Sequence, residues 1–173
     1  MLIEHVPGFT WMPVRTKPRR EKKILEFCQA NNILCYLPLN RKVHRYERRS
    51  VEFHVPMFSS YVFCNMNEDK YQRLLCSNAV LFKIDIDKSA EENLIRELNA
   101  VQSLERLSLE TELSVKPELV GGVRVTVNNG PMRGMQGIIK KRKGKTLIFV
   151  NIDLLGQSVS AEFDAGDLEA EQN

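Results

Sequence analysis

The sequence predicts an α+β protein of two domains, in which a mixed first domain precedes a small all-β barrel. From Gly122 to Ile139, apolar and polar residues alternate, break at Asn128-Asn129-Gly130-Pro131 and are followed by glycines at 134 and 137. This pattern predicts a strand, a shaped turn and a second strand. Apolar residues at helical spacing between 94 and 104 indicate an amphipathic helix. The helical period is lost at 108–118, which predicts a linker, so we expect domains at 8–107 and 119–170.

The first domain begins with a strand and a helix. Trp11–Arg15 is β-prone, and Pro13, which has no N–H to donate, indicates an edge, a bulge or a short strand. Pro18 suits the first turn of a helix, because a missing N–H has no partner to lose there. Apolar residues at helical spacing continue this helix to Ala30, and Asn31-Asn32 ends it.

Short strands and two more helices complete the first domain. β-prone runs predict strands at 33–39, 58–64 and 80–86, and two arms at 42–46 and 51–55 that form a basic hairpin around residues 47–50. Asn67 is placed to cap a short helix. Ser89 and Glu92 have the spacing of a capping box at the start of the long amphipathic helix.

The second domain reads as a series of short strands. They are expected at 123–127, 136–141, 146–152 and 157–163, with a short last element near 167–169. Lys143-Gly144-Lys145 is a tight turn of the hairpin type, and Leu154-Leu155-Gly156 is a second break. A closed barrel is favoured over an open sheet, because closure removes the exposed edges.

Positive charge is concentrated in the first half of the chain. Between Arg15 and Arg49 there are 11 basic and 3 acidic residues, a net charge of +8, so the rest of the chain totals −5 to give the formal +3. This block predicts a surface for phosphates or an acidic partner, with a solvated face as the alternative. Aromatic residues interleave with it and could stack on bases or fill an apolar groove, although aromatics in strands more often lie in a core: Tyr36, Tyr46, Phe53, Phe58 and Tyr61.

Catalytic, metal and membrane functions find little support. No nucleophile–base pair or paired carboxylates stand out, and the glycines at 130–137 lack the Gly-Lys-Ser/Thr ending of a phosphate loop. Cys28, Cys35, Cys64 and Cys76 form no C-x-x-C pair, so we expect reduced, buried thiols and no zinc site. With neither a signal segment nor an apolar span, the sequence predicts a cytoplasmic, cofactor-free, non-enzymatic protein.

Two sets of motifs, in the same order, resemble the NusG family. In the second domain, Gly122–Gly137 resembles the KOW motif, and Lys145–Ser160 continues as KOW domains of that family do. In the first domain, Trp11–Lys23, Cys35–Leu39 and Pro56–Phe63 look like the family's N-terminal (NGN) domain. The resemblance covers nearly the whole chain. It implies an NGN domain, an antiparallel sheet with flanking helices, linked to a KOW domain that is an SH3-like five-stranded barrel.

Some residues depart from the common pattern of the family. Phe58-Ser59-Ser60-Tyr61 stands where Phe-Pro-Gly-Tyr is usual, and Val123 replaces a common Asp. With the long basic hairpin, these departures resemble the specialised, operon-specific paralogues such as RfaH and the capsule-operon antiterminators. In one branch of the family the tail becomes helical, but the β-branched residues between 123 and 159 favour strands, so we expect a stable barrel.

The resemblance implies a transcription elongation and antitermination factor. The NGN domain would bind the β′ clamp helices of RNA polymerase, touch upstream or non-template DNA and reduce pausing or termination. The KOW domain would recruit a ribosomal small-subunit protein or Rho, and we expect a monomer without a membrane partner. By matching motifs, the polymerase-binding candidates are Tyr36, Pro56, Phe58, Tyr61 and Phe82. The candidates for nucleic-acid binding are Lys17, Arg19, Arg20, Lys22, Lys23, Arg45, Arg48 and Arg49.

A second class of function stays open at this point. A ribosome- or RNA-binding KOW protein, with basic hairpins that bind rRNA, would also explain the second domain. It would leave the Trp11–Phe63 resemblance unexplained.

Overall fold

The computed structural model describes residues 2–46, 49–107, 113–117, 122–127, 133–142, 145–163 and 168–170. The chain forms two compact units, one of Met1–Leu39 with His54–Arg96 and the other of Asn40–Phe53 with Glu97–Asn173. The helices are α1 (Glu21–Ala30), α2 (Glu68–Leu75) and α3 (Lys88–Leu107). The strands are β1 (Thr10–Thr16), β2 (Leu34–Tyr36), β3 (Leu39–Tyr46), β4 (Arg49–Pro56), β5 (Tyr61–Met66), β6 (Val80–Lys83), β7 (Ser114–Pro117), β8 (Val123–Val127), β9 (Gln136–Arg142), β10 (Lys145–Ile152), β11 (Gln157–Phe163) and β12 (Leu168–Ala170).

The first unit contains a four-stranded antiparallel sheet in the order β2-β5-β1-β6. Side chains alternate between the two faces of such a sheet. Met12 and Val14 of β1 and Val62, Cys64 and Met66 of β5 point to one face. There they share a core with Ile24 and Cys28 of α1 and Leu74 of α2. The mixed α/β architecture predicted for this part of the chain is confirmed.

Pro13 lies in an inner strand, so two of its three predicted places, an edge and a short strand, were wrong, whereas the pairing of β1 with β6 does shift register between Arg15 and Thr16. β1 runs for seven residues between β5 and β6. On the β6 side, pairing ends at Val14 with Lys83, and the Ile84 N–H donates to the Pro13 carbonyl at 2.9 Å. The nitrogen of Pro13 faces this same side, because N–H and C=O of one residue point the same way in an antiparallel strand. Proline has no N–H to return a second bond to Ile84, so the ladder with β6 ends at this position.

Helix α1 begins at Glu21, three residues after the predicted start. Pro18 instead belongs to a turn closed by the Arg20 N–H on the Lys17 carbonyl at 3.2 Å. Arg19 in this turn has a φ of +60°. The predicted end is confirmed, because Asn31 caps the helix and its side-chain amide donates to the Phe27 carbonyl at 2.9 Å.

Helix α3 begins at Lys88, and its cap is Asp87 rather than Ser89. The Asp87 carboxylate accepts the Ala90 N–H at 2.8 Å, and the Asp87 carbonyl accepts the Glu91 N–H at 3.0 Å. Ser89 lies exposed in the first turn. The predicted cap of α2 is confirmed, since the Asn67 side chain accepts the Lys70 N–H at 3.1 Å.

Several predicted strands differ in extent. The run expected at 33–39 is divided between β2 and the start of β3, and β6 ends at Lys83 rather than at 86. The predicted hairpin is present as a two-stranded sheet of β3 and β4, with arms longer than expected. Its tip, residues 47–48, lies outside the described residues.

The second unit contains a six-stranded sheet in the order β12-β8-β9-β10-β11-β7. Four predicted strands and the short last element are found, and β7, inside the predicted linker, adds a strand by pairing with β11. The sheet therefore has six strands where five were expected. The barrel closure and the domain boundaries stay predictions. No helix among the described residues is long and apolar enough to span a membrane.

Glycine is required in β9 because atoms of the paired strand β10 lie close to it. A Cβ on Gly137 would lie 2.8 Å from the Ile148 side chain and 2.9 Å from the Phe149 carbonyl oxygen. Gly134, in the preceding turn, has a φ of +88°. The tight bend predicted at Gly134 is confirmed, Gly137 lies within β9 where a Cβ would be obstructed, and Asn129-Gly130-Pro131 lies outside the described residues.

The two candidate caps of α3 can be separated by mutation. Asp87→Ala should lower the free energy of unfolding by about 1 kcal/mol, because it removes the acceptor for an N–H of the first turn. Ser89→Ala should leave it within about 0.5 kcal/mol, since an exposed first-turn serine loses no cap and alanine favours a helix. Urea unfolding followed by circular dichroism measures both, and a larger loss for Ser89→Ala would contradict the assignment.

Candidate functional site

One face of the first sheet brings together three of the five polymerase-binding candidates. Tyr61 of β5 lies opposite Arg15 of β1, and Arg15 lies opposite Phe82 of β6. Tyr36 of β2 lies opposite Phe63 in the adjacent row. Opposite residues in antiparallel strands point to the same face, and this face is the one turned away from α1 and α2. We call it the aromatic face and define it by these five residues.

The aromatic face grades from buried to exposed. Tyr36 is 8% exposed, Tyr61 is half-buried, and Phe82 is 50% exposed beside Leu81, which is 52% exposed. The Arg15 guanidinium lies over the Tyr61 ring, 4.6 Å from its centroid. The exposed end is thus an apolar edge strand next to a cation held on an aromatic ring, a combination suited to protein recognition.

Phe58 packs against the buried part of this face. Its side chain is 0% exposed and meets Phe63 edge-on, with 5.9 Å between ring centroids. Pro56 is half-buried at the end of β4. Of the five candidates, Phe58 is therefore a core residue in this structure, and Phe82 presents the most surface.

A buried carboxylate fixes the turn from Phe58 to Tyr61. The Tyr61 N–H donates to the Phe58 carbonyl at 3.1 Å, and Ser60 has a φ of +63°. Glycine adopts such a φ without strain, which explains why serine at this position is a departure. Glu21, buried at the start of α1, accepts the Ser60 N–H at 2.7 Å and holds the turn in place.

Five basic residues at the start of α1 are exposed together. Lys17, Arg19 and Arg20 lie on the turn before the helix and Lys22 and Lys23 on its first turn, so the exposure predicted for them is confirmed, although the first three are not helical. None is in an ion pair within the part of the chain that the structure describes. The Lys17 N–H donates to the Ala79 carbonyl at 2.8 Å, which anchors the turn to the chain just before β6.

The β3–β4 hairpin carries an exposed aromatic stack. His44 stacks on Tyr46 at 5.8 Å and meets Phe53 edge-on at 6.3 Å, measured between ring centroids. The Arg49 guanidinium lies 5.8 Å from the Tyr46 centroid. All four side chains are exposed, which is the composition of a surface that stacks nucleic-acid bases. Arg48 lies outside the described residues, and the side chain of Arg45 is not among those described.

Three of the four cysteines come together in the first unit. The sulfur atoms of Cys28, Cys35 and Cys64 lie within 4.8 Å of one another, whereas Cys76 is exposed, so the expectation that it is buried was wrong. Hydrogen bonds from Cys35 and Cys64 lower the pKa of the Cys28 thiol to about 4. The hydrogen bond with Cys28 is also the main cause that raises the pKa of Cys35 and of Cys64, and burial adds to it.

Sequence reasoning missed some of these residues for identifiable reasons. Arg15 lies in the Trp11–Lys23 motif but was not among the candidates, Leu81 lies in no motif, and only the register between β1 and β6 brings Arg15 beside Phe82. The cysteines are separated by 7 and 29 positions, which matches no metal-binding spacing. The one usable signal was alternation, which places Cys64 and Val62 on the core face of a predicted strand.

Mutations should distinguish the buried packing role of Phe58 from the exposed position of Phe82. Phe58→Ala should lower the free energy of unfolding by about 3–5 kcal/mol, because removing a fully buried ring leaves a cavity in its place. Phe82→Ala should cost less than about 1 kcal/mol, since half of that ring is already in water. Chemical denaturation measures both, and equal losses would contradict the burial described here.

Comparison with known proteins gives one family. Residues 9–120, well over half of the chain, match the family model described as "Transcription termination factor nusG". No curated protein matches the chain. Two similar solved structures are described as "Crystal Structure of MjSpt4:Spt5 complex conformation B" and "conformation A".

Both solved structures share 13% sequence identity with the chain and cover 94% of it, and the match spans 97% and 99% of those chains. Their TM-scores of 0.28 and 0.29 are too low to support an argument about fold or partners. The family match and the sheet of the first unit together give the identity: this chain belongs to the NusG family.

Proposed function

We propose that the protein is a non-enzymatic transcription elongation and antitermination factor of the NusG family. Its N-terminal domain binds the β′ clamp helices of RNA polymerase, contacts upstream or non-template DNA, and reduces pausing or termination in the cytoplasm. The family match over residues 9–120 is the observation that carries this proposal. The exposed surfaces of the first half supply the physical support for the separate contacts.

The aromatic face is the proposed polymerase contact. Phe82, at its exposed end, loses water on docking, and about 2 kcal/mol from one buried aromatic anchor is typical of an interface hot spot. Arg15, held over Tyr61, adds a cation that can meet an acidic group at the rim. Tyr36, Pro56 and Phe58 support the surface and add little contact area of their own, because they are buried or half-buried.

The basic residues are the proposed nucleic-acid contact. Lys17, Arg19, Arg20, Lys22 and Lys23 can neutralise phosphates without reading sequence, which suits a factor that moves along DNA with its enzyme. The hairpin, which belongs to the other unit, carries a separate proposed contact: Arg49 and an aromatic stack that can hold an unpaired base of the non-template strand. Arg45 and Arg48 belong to the same proposed contact by sequence.

The six-stranded sheet of the second unit is the proposed recruiting part. We infer that this strand-rich sheet is a KOW domain of SH3-like form that binds a ribosomal small-subunit protein or Rho. We further infer an operon-specific role of the RfaH or capsule-operon type, supported by the long basic hairpin and by Ser60 at a position with left-handed φ. A monomer without a membrane partner completes the proposal.

The main test is transcription in vitro with polymerase from the source cell. The full chain should shorten a defined pause and change read-through at a Rho-dependent terminator, whereas a Phe82→Ser variant should bind polymerase at least about tenfold more weakly. Leu75→Ser, which removes an exposed apolar side chain from α2 in the same unit, serves as the matched control. Unchanged pausing with the wild-type chain would sink the proposal.

Charge reversal should separate DNA contact from polymerase contact. Arg19→Glu combined with Arg20→Glu should weaken DNA-dependent activity more than polymerase binding, and should reduce the slope of log affinity for DNA against log salt by about 2. Lys88→Glu combined with Arg96→Glu makes the same charge change at exposed positions of α3. Equal losses of both activities, or no loss of either, would show that the division is wrong.

The ribosomal alternative has its own signature. The exposed stack of His44, Tyr46 and Phe53 with Arg49 is equally suited to single-stranded RNA. A ribosome-binding protein would co-sediment with ribosomes in extracts depleted of polymerase. Co-sedimentation under that condition, together with unchanged pausing, would assign the protein to this class instead.

A further inference from the structure

Three cysteine sulfur atoms lie close together inside the first unit. Their residues are far apart in the sequence, and the fold brings them together. Cys35 of the edge strand β2 lies directly opposite Cys64 of β5, and their sulfur atoms are 3.8 Å apart. Cys28 reaches the same point from α1, 4.0 Å from the sulfur of Cys64. One cluster therefore joins a helix, an edge strand and an inner strand.

These distances do not describe a disulfide. A disulfide holds its sulfur atoms at about 2.05 Å. The shorter of the two measured separations is 3.8 Å, nearly twice that length. An odd number of thiols would also leave one without a partner. The cluster is thus a set of three free thiols.

The same distances fit three sulfur ligands around one metal ion. A metal–thiolate bond of about 2.3 Å, arranged as a trigonal plane, separates the sulfur atoms by about 4.0 Å. The measured 3.8 and 4.0 Å, with all three atoms within 4.8 Å, need only small movements to reach this geometry. The backbone already presents the ligands at the required spacing.

The surroundings of the cluster favour a soft cation. The group contains only thiols, with no carboxylate or imidazole among the described residues that would complete it. Met12, opposite Cys64 on β1, and Met66, two residues along β5, belong to the same buried core. Sulfur ligands in an apolar core select thiophilic ions such as Cu⁺ and Zn²⁺ over Mg²⁺ or Ca²⁺.

We propose that Cys28, Cys35 and Cys64 form a binding site for a thiophilic metal cation. The cation replaces the thiol protons, which pass to the solvent, and no electron is transferred. Cys35, half-buried on an edge strand, is the entry point for the ion. Binding cross-links α1 to β2 and β5, so it stabilises the unit. Because zinc sites with protein ligands alone usually have four, we expect Cu⁺ to bind more tightly than Zn²⁺.

The test uses the full chain, stripped of metal and kept reduced without oxygen. Cu⁺ supplied with a coloured chelator as competitor, and Zn²⁺ in a parallel titration, measure stoichiometry and affinity. We expect one Cu⁺ per chain, an ultraviolet thiolate-to-metal band and a rise in melting temperature of more than about 5 °C at saturating ion. Zinc binding of the same stoichiometry without Cu⁺ binding would also support the site and assign it to the divalent ion.

Variants decide whether these three thiols are the ligands. Cys35→Ser changes a half-buried residue of an edge strand, so the variant should fold normally and bind the metal at least tenfold more weakly. Cys28→Ala provides a second test within the helix. Cys76→Ser is the matched control, because this exposed thiol lies outside the cluster. Wild-type binding no tighter than that of Cys35→Ser, or an equal loss in Cys76→Ser, would overturn the proposal. Neither result depends on the proposed role in transcription.

Discussion

The antiparallel pairing of β1 with β5 is the interaction on which the first unit depends. Six consecutive pairs from Thr10 with Met66 to Arg15 with Tyr61 fix the register of the two inner strands. A shift of one residue would exchange the two faces of the sheet. This one register therefore has two consequences: Met12 and Cys64 join the core under α1, and Arg15 and Tyr61 form part of the aromatic face.

Two buried carboxylates accept hydrogen bonds from backbone N–H groups that strand pairing leaves without a partner. β6 is too short to cover the first half of β1, and Glu91 of α3 accepts the Trp11 N–H at 2.9 Å on that uncovered side. Glu21 of α1 accepts the Ser60 N–H and holds a turn that includes a residue in the left-handed region. Each pairs a backbone donor, buried at Trp11 and half-buried at Ser60, so both glutamates act as structural residues.

Apolar and basic contacts are divided among different elements of the chain. The exposed apolar residues Leu81 and Phe82 lie on edge strand β6, while the lysines and arginines lie on the turn before α1 and on the hairpin. An apolar anchor gives affinity that salt hardly changes, whereas phosphate contacts weaken as salt rises. Under the proposed function, such a division allows a stable contact with one partner and a sequence-tolerant contact with another.

The sequence by itself determined the types of element, the order of most of them, the basic block and the family. Each depends on local signals, such as period-two alternation at Val123–Val127, the cap at Asn67 or the glycine at 137, and the structure confirms these. Local signals failed where a paired strand, or a second capping residue close by, decided the outcome. Pro13 is tolerated in an inner strand because β6 ends beside it, and Asp87 rather than Ser89 caps α3.

Only the tertiary structure decided which residues meet. Phe58 looks like Phe82 in the sequence, yet packing against Phe63 buries one ring and an edge position leaves half of the other in water. Cys28, Cys35 and Cys64 have no common spacing, and they converge because strand register and helix docking act over long separations in the chain. Periodicity assigns a side chain to a face, but only pairing between distant segments gives that face its neighbours.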